Sequence, residues 1–269
     1  MAPRPHPSLH FAAVDLDRVQ ARILFGVEWE VHADHRWVVL GPNGSGKTTM
    51  FQLASGYLHP TRGTVDILGR RLGRTDVRQL REHIGLVSPA VAKMLVPSLT
   101  AVDVVVSARH GALEPWWHRY TAEERNHARH LLEVAGFGAI ADRAFGVLSE
   151  GERQQVLLAR SLMSGPDPGG PGLILLDEPA AGLDVAGRER LVARLAGLAA
   201  DTAAPPLVMI THHVEEIPVG FTHVLLLREG RVVAAGPLHD ALRAETLSET
   251  FGLPLALDGV DGRWSCRAR

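Results

Sequence analysis

Cysteine and lysine are the scarcities of this 269-residue chain. The single cysteine, Cys266, cannot form a disulfide within the chain, which excludes a bridge-stapled scaffold and points to a reducing compartment. No run reaches the roughly 18 consecutive apolar residues needed to span a bilayer, so the chain is expected to be soluble and to meet a membrane only through a partner. Charge of one sign is lacking too: a net charge of −2 excludes a strong overall pull toward nucleic acid or anionic lipid. Met1 to Ser8 has no apolar core of a secretory signal, and residues 1–10 are expected to be a disordered leader. There is no internal repeat and no heptad run.

Lysine scarcity turns attention to what is present. Of 28 Lys and Arg residues only Lys47 and Lys93 are lysine. Lys47 lies in Gly41, Pro42, Asn43, Gly44, Ser45, Gly46, Lys47 and Thr48, followed by Thr49, which fits the phosphate-cradling pattern G-x-x-x-x-G-K-[ST]. Glycines adopt positive φ at little cost, so backbone N–H groups can turn around an anion. The helix that follows offers unpaired N–H groups and a positive dipole end. A compact ammonium fits a tight loop where a planar guanidinium does not. Lys47 would reach the β- and γ-phosphates and the Thr48 hydroxyl would hold Mg²⁺. Trp37 to Leu40 reads as the strand before this loop and Thr48 to Ser55 as the helix after it.

Strands are expected at Val27–Val31, Gly63–Gly69 and Ile84–Ser88, with a short helix at Val77–His83. From about Pro97 to Leu148 the pattern turns helical, including a capping box at Thr121 and Glu124, and a helical subdomain is expected over about 90–150. Leu173 to Leu176 is a continuous apolar run, which fits a strand covered on both faces, and it ends in Asp177 and Glu178. A helix over roughly 187–200, a buried strand Leu207–Thr211, and a hairpin turning at Glu229 and Gly230 complete an alternating α/β chain.

Acids at the carboxyl end of a central strand stand where α/β sheets bind ligands. Asp177 would hold Mg²⁺ and Glu178 would orient or deprotonate a water. Leu148, Ser149, Glu150, Gly151 and Glu152 open a helix, and Ser149 with Glu152 can be read locally as a capping box. With the phosphate loop and the Asp-Glu strand in one chain, however, residues 148–152 resemble the signature Leu-Ser-Gly-Gly-Gln of ATP-binding-cassette (ABC) ATPases. Glu150 and Glu152 are substitutions at positions the family lets vary. Pro179 to Asp184 is similar to the family's D-loop, and Thr211-His212 to its switch-histidine motif. The resemblance covers about residues 12–245 in family order.

The resemblance implies a P-loop NTPase fold of the ABC-ATPase kind: a RecA-like core, an antiparallel β subdomain and an inserted α-helical subdomain. The nucleotide-binding domain would span 11–245 and a C-terminal extension 246–269. It implies a head-to-tail sandwich in which ATP lies between the phosphate loop of one subunit and the signature of a second nucleotide-binding subunit, identical or homologous. Lys47, Thr48 and Asp177 would handle phosphates and Mg²⁺. Glu178 would be the general base and His212 would contact the γ-phosphate. Ser149 and Gly151, with Asp184 nearby, would serve the partner's ATP. His213 reads as a surface histidine.

Two departures stand out. The family's loop Gln is replaced by Pro89, leaving Ser88 as a substitute ligand toward Mg²⁺. No Tyr or Trp occupies the expected adenine-stacking place; Arg22 could stack instead, and Phe25 is expected in the core.

The expected function is the ATPase subunit of a membrane transporter of the bacterial importer kind. It would sit peripherally on the cytoplasmic face, with separate transmembrane permease subunits and a substrate-binding protein. The tail Leu247 to Leu257 resembles those of metal-chelate and molybdate-type importers. A soluble ABC ATPase of DNA repair or translation is the alternative; the missing coiled coil, the single cassette and the near-neutral charge argue against it and against nucleic acid. A P-loop small-molecule kinase would leave 148–152 and 179–184 unexplained. Trp116 and Trp117 read equally as interface or as packing within the helical block.

Overall fold

Strands buried on every residue show no polar alternation, and among the described residues there are three such strands of five residues, Arg36–Leu40, Leu173–Asp177 and Leu207–Thr211. The structure, a computed structural model, describes residues 6–19, 21–114, 119–165, 170 and 172–269. Trp116 and Trp117 lie outside the described residues. The chain divides into two compact units, residues 1–75 with 192–269, and residues 76–191.

In the first unit, Arg36–Leu40 lies between two parallel neighbours, pairing Val38 with Met209 of Leu207–Thr211 and with Val224 of His223–Arg228. Strand Arg231–Pro237 returns antiparallel to His223–Arg228 through Glu229 and Gly230, whose φ values of 48° and 73° suit a tight hairpin turn. Leu9–Arg18 pairs antiparallel with Ala21–Val31 and with Arg62–Ile67. One face of this ribbon is apolar: Leu9, Phe11, Val14, Leu24, Val27 and Val31 are buried while Glu28 and Glu30 are exposed. The first strand begins at Leu9, within the stretch expected as leader.

The guanidinium of Arg36, 3% exposed, donates to the carbonyls of Ala33, His35, Asp201 and Ala204 at 3.0 to 3.3 Å, pinning the start of the central strand to the 201–204 turn. The end of the chain forms helix Ala244–Phe251 and a hairpin, Leu255–Val260 with Arg263–Ala268. Pattern reading missed that hairpin because only Leu255 in it is buried, which leaves no apolar alternation to find.

In the second unit, Ile84–Val87 and Leu173–Asp177 pair in parallel. Gly85 allows the strand to touch helix Glu150–Met163, since a Cβ there would stand 2.2 Å from the Ser161 carbonyl oxygen. Helices Ala101–Ser107, Ala122–Val134 and Glu150–Met163 pack together over Val102, Val105, Ala128, Leu132 and Leu157. The capping boxes at Thr121/Glu124 and Ser149/Glu152 are both formed. Among the described residues no helix is long and apolar enough to cross a membrane.

Candidate functional site

The first unit carries the phosphate loop. The buried strand Arg36–Leu40 delivers the chain to Gly41, where a Cβ would lie 2.1 Å from the Leu227 carbonyl oxygen, so no other residue fits without moving the neighbouring strand. Gly44 and Gly46 have φ of 79° and 106°, and Gly46 caps helix Lys47–Ala54 with no side-chain hydrogen bond to its leading N–H groups. Lys47, 5% exposed, donates from Nζ to the carbonyls of Gly41 at 2.8 Å and Pro42 at 3.0 Å. The loop is tied to the hairpin turn and onward to the ribbon: Gly230 N–H donates to Ser45 O and Phe25 N–H to Gly230 O, both at 2.9 Å. Ser45 Oγ is buried without a hydrogen-bond partner, and Thr48 is exposed on the first turn of the helix.

His212 follows strand Leu207–Thr211 in the same unit. Its ring lies 4.0 Å from that of His213, which is exposed as expected of a surface histidine. Thr211 Oγ1 donates to the buried Glu216 carboxylate and accepts the His213 N–H at 3.1 Å. A cavity of about 250 Å³ opens beside His212.

Arg22 is engaged by acids, at 2.9 Å to Asp17 and 3.4 Å to Asp15, which compete with a role on the nucleobase. Phe25 is not in the core. It is half-buried, with the Arg231 guanidinium 4.3 Å and that of Arg22 5.6 Å from its ring centre, because its side of the ribbon faces these two cations.

The second unit carries the acids and the signature. Asp177, 8% exposed, ends its strand, and Glu178 follows at φ 47°. Left-handed backbone costs a non-glycine residue about 1 kcal/mol or more and clusters at active sites. Glu178 O accepts the Ala181 N–H at 3.0 Å, closing the turn into the D-loop segment. Asp184 caps the next helix, Val185–Ala200, its Oδ1 accepting the Gly187 N–H at 2.6 Å.

At the signature, Ser149 donates from Oγ to the Glu152 carboxylate at 2.9 Å, and its N–H reaches the same oxygen at 2.7 Å. Arg143 adds a third donor at 3.1 Å. The Ser149 N–H bond, then its hydroxyl, hold the Glu152 carboxyl below its ordinary range. Gly151 has nothing within 4 Å of where a Cβ would stand. A helical glycine costs about 0.5–1 kcal/mol, and here no contact within the chain asks for it. The structure also brings the D-loop beside the signature: a Cβ on Gly182 would stand 3.5 Å from Glu150 Cγ.

Ser88 is a buried N-cap, its Oγ accepting the Val91 N–H at 3.2 Å, and exposed Pro89 is the first residue of helix Pro89–Met94. The Ser-Pro pair is a readable helix start that the expectation of a loop passed over. The backbone of Glu178 carries no sequence signal, since only the fold imposes its φ.

The sequence model described as ABC transporter matches residues 24–181. An ABC transporter ATP-binding protein of Streptococcus mutans is 35% identical over 245 residues, 91% of this chain and 92% of that protein. A phosphonates import ATP-binding protein of Alcaligenes faecalis is 33% identical over 243 residues, 86% of this chain and 83% of that one. The fold is similar to a solved inward-facing metal-chelate type ABC transporter, with a TM-score of 0.74 at 22% identity, over 97% of this chain and 96% of that one.

Proposed function

The chain belongs to the ABC transporter family, and from that premise we infer that it is the ATP-hydrolysing subunit of a bacterial importer. It binds ATP in the Gly41–Thr49 loop and works as a head-to-tail dimer, in which Ser149 and Gly151 complete the partner's nucleotide site, with Asp184 beside them. Gly151 supports the dimer: its open side leaves room for another molecule's phosphate to approach the backbone.

The observation that carries the catalytic reading is Glu178, held at a costly φ directly after buried Asp177. Its carboxylate accepts a proton from water as the water oxygen bonds to the γ-phosphorus. The bond from that phosphorus to the β–γ bridging oxygen breaks, and ADP leaves with the electron pair. Lys47 offsets charge on the β- and γ-phosphates, and His212 donates to the γ-phosphate. Thr48 and Asp177 supply hard oxygens and would hold Mg²⁺, which would neutralise phosphate charge. Ser88 is a weaker candidate for that set, because its oxygen already accepts from Val91.

Separate permease subunits hold the transported cargo's path, and the cassette sits peripherally on the cytoplasmic face. One residue beyond Ser88 begins a groove of about 430 Å³ lined by Pro89, Lys93, Leu95, Phe145, Arg153 and Leu157, which we assign to a permease segment. Metal chelates and oxyanions are the cargo classes that the relatives' names suggest, delivered by a substrate-binding protein.

The test is Glu178→Gln. Hydrolysis should fall by about 100-fold or more while ATP is retained and a dimer accumulates on sizing columns. A variant that turns over at the wild-type rate would remove Glu178 from the reaction.

A further inference from the structure

The segment after His212 is held from two sides. Within it, Thr211 Oγ1 bonds the buried Glu216 carboxylate and accepts the His213 N–H at 3.1 Å. From the C-terminal hairpin, Arg263 Nη2 donates to the Glu215 carbonyl at 3.0 Å, and the Cys266 N–H donates to Glu215 Oε1 at 3.1 Å. Both hairpin bonds fall on one residue, three positions after His212, in the short 3₁₀ turn Val214–Glu216.

The same hairpin shares a cavity with the switch residue. His212, His213 and Glu215 line the space of about 250 Å³ together with Phe251, Leu255 and Cys266. The hairpin contributes little to the core, with Leu255 its one buried residue. Apolar burial therefore accounts for little of its docking; Leu255 N–H donates to Ser248 Oγ at 2.9 Å on the helix side, and the bonds to Glu215 attach the hairpin to the segment after His212.

We propose that the C-terminal hairpin sets the position of His212, acting through Glu215 as a positioning residue, so that hairpin docking tunes the hydrolysis rate. This rests on the reading of His212 as the γ-phosphate contact. Only His213 and Val214 separate Glu215 from His212, and the Thr211 hydroxyl clasps the segment at both ends through Glu216 and the His213 N–H, so movement of Glu215 carries back to His212. Small displacements of a group that acts in the transition state lower kcat more than they alter substrate binding.

The experiment uses the full chain. Glu215→Ala and Arg263→Ala should each lower kcat for ATP about tenfold, leave KM within about twofold, and leave the thermal midpoint nearly unchanged. A merely structural hairpin would lower the midpoint and spare kcat. Cys266 is the single cysteine and a native probe. In Glu178→Gln protein its maleimide labelling should slow by about threefold or more when ATP is added, and His212→Ala should abolish that response. Wild-type kcat in both hairpin variants overturns the proposal, and so does labelling that ignores ATP. If His212→Ala itself hydrolyses ATP at the wild-type rate, the phosphate role of His212 fails first and the proposal falls with it.

Discussion

The imidazole of His35 lies on that of His223, with ring centres 3.8 Å apart and planes 26° from parallel. Trp37 covers the other histidine at 4.8 Å and donates from Nε1 to His35 Nδ1 at 3.1 Å. Burial, then the neighbouring His35, pushes His223 down to about 4, and burial also lowers His35. Asp34 opposes both shifts, while His32 adds to them. The fold thus requires neutral rings that the unfolded chain protonates near pH 6.5. The unfolded state binds more protons between these values, so stability falls as pH drops from about 6.5 toward about 4 and levels below that. Thermal midpoints should decline from about pH 7 to about pH 5, and His223→Phe, which keeps a ring in the stack, should flatten the decline. An equally steep profile in that variant would place the titrating group elsewhere.

Gly230 reaches the phosphate loop without belonging to it. A Cβ there would stand 2.0 Å from the Ile23 carbonyl oxygen, at φ 73°, and its N–H holds Ser45 O. Gly230→Ala should cost about 3 kcal/mol or more and weaken ATP binding at least about tenfold. Gly44→Ala meets nothing within 4 Å and bears only the strain of φ 79°, so about 1 kcal/mol is expected. Denaturant unfolding and nucleotide titration of the pair test the contrast.

Glu150 and Glu152 bring negative charge to a helix start proposed to face phosphate. Glu152→Gln keeps a residue that can complete the capping box and removes one charge. In the Glu178→Gln background, the ATP concentration that half-saturates dimerisation should fall about threefold. Glu152→Ala should instead lose the cap and about 1 kcal/mol of stability. A rise in the half-saturating concentration for Glu152→Gln would mean that its carboxylate aids the nucleotide.

Pro89 is exposed at the first position of its helix, where its ring suits the backbone geometry. Pro89→Gln should fold normally, within about 0.5 kcal/mol of wild type, and raise transport-coupled ATP turnover in the reconstituted transporter. Unchanged coupled turnover would show that the groove signals without an amide at this position.

Much of the candidate site's local geometry could be read before folding because its parts are local. The Gly41–Thr48 spacing, the apolar strand before Asp177, and the reciprocal caps of Ser149 and Glu152 each depend on residues a few positions apart. What escaped is long-range or conformational. Phe25 sits in an apolar-looking run yet faces Arg231, more than 200 positions away in sequence, through a hairpin contact. The φ of Glu178 is imposed by the turn it enters. The terminal hairpin is held by polar contacts, among them two hydrogen bonds to Glu215 and one to Ser248, rather than by a periodic apolar face.

Lys47 gives the phosphate loop a scaffold of its own, because its ammonium gathers the Gly41 and Pro42 carbonyls from inside the curve. A loop shaped by its own side chain does not have to be assembled by each incoming nucleotide, so association carries little ordering entropy. Departure of ADP leaves the cradle in form, and the next ATP exchanges partners with it rather than rebuilding it.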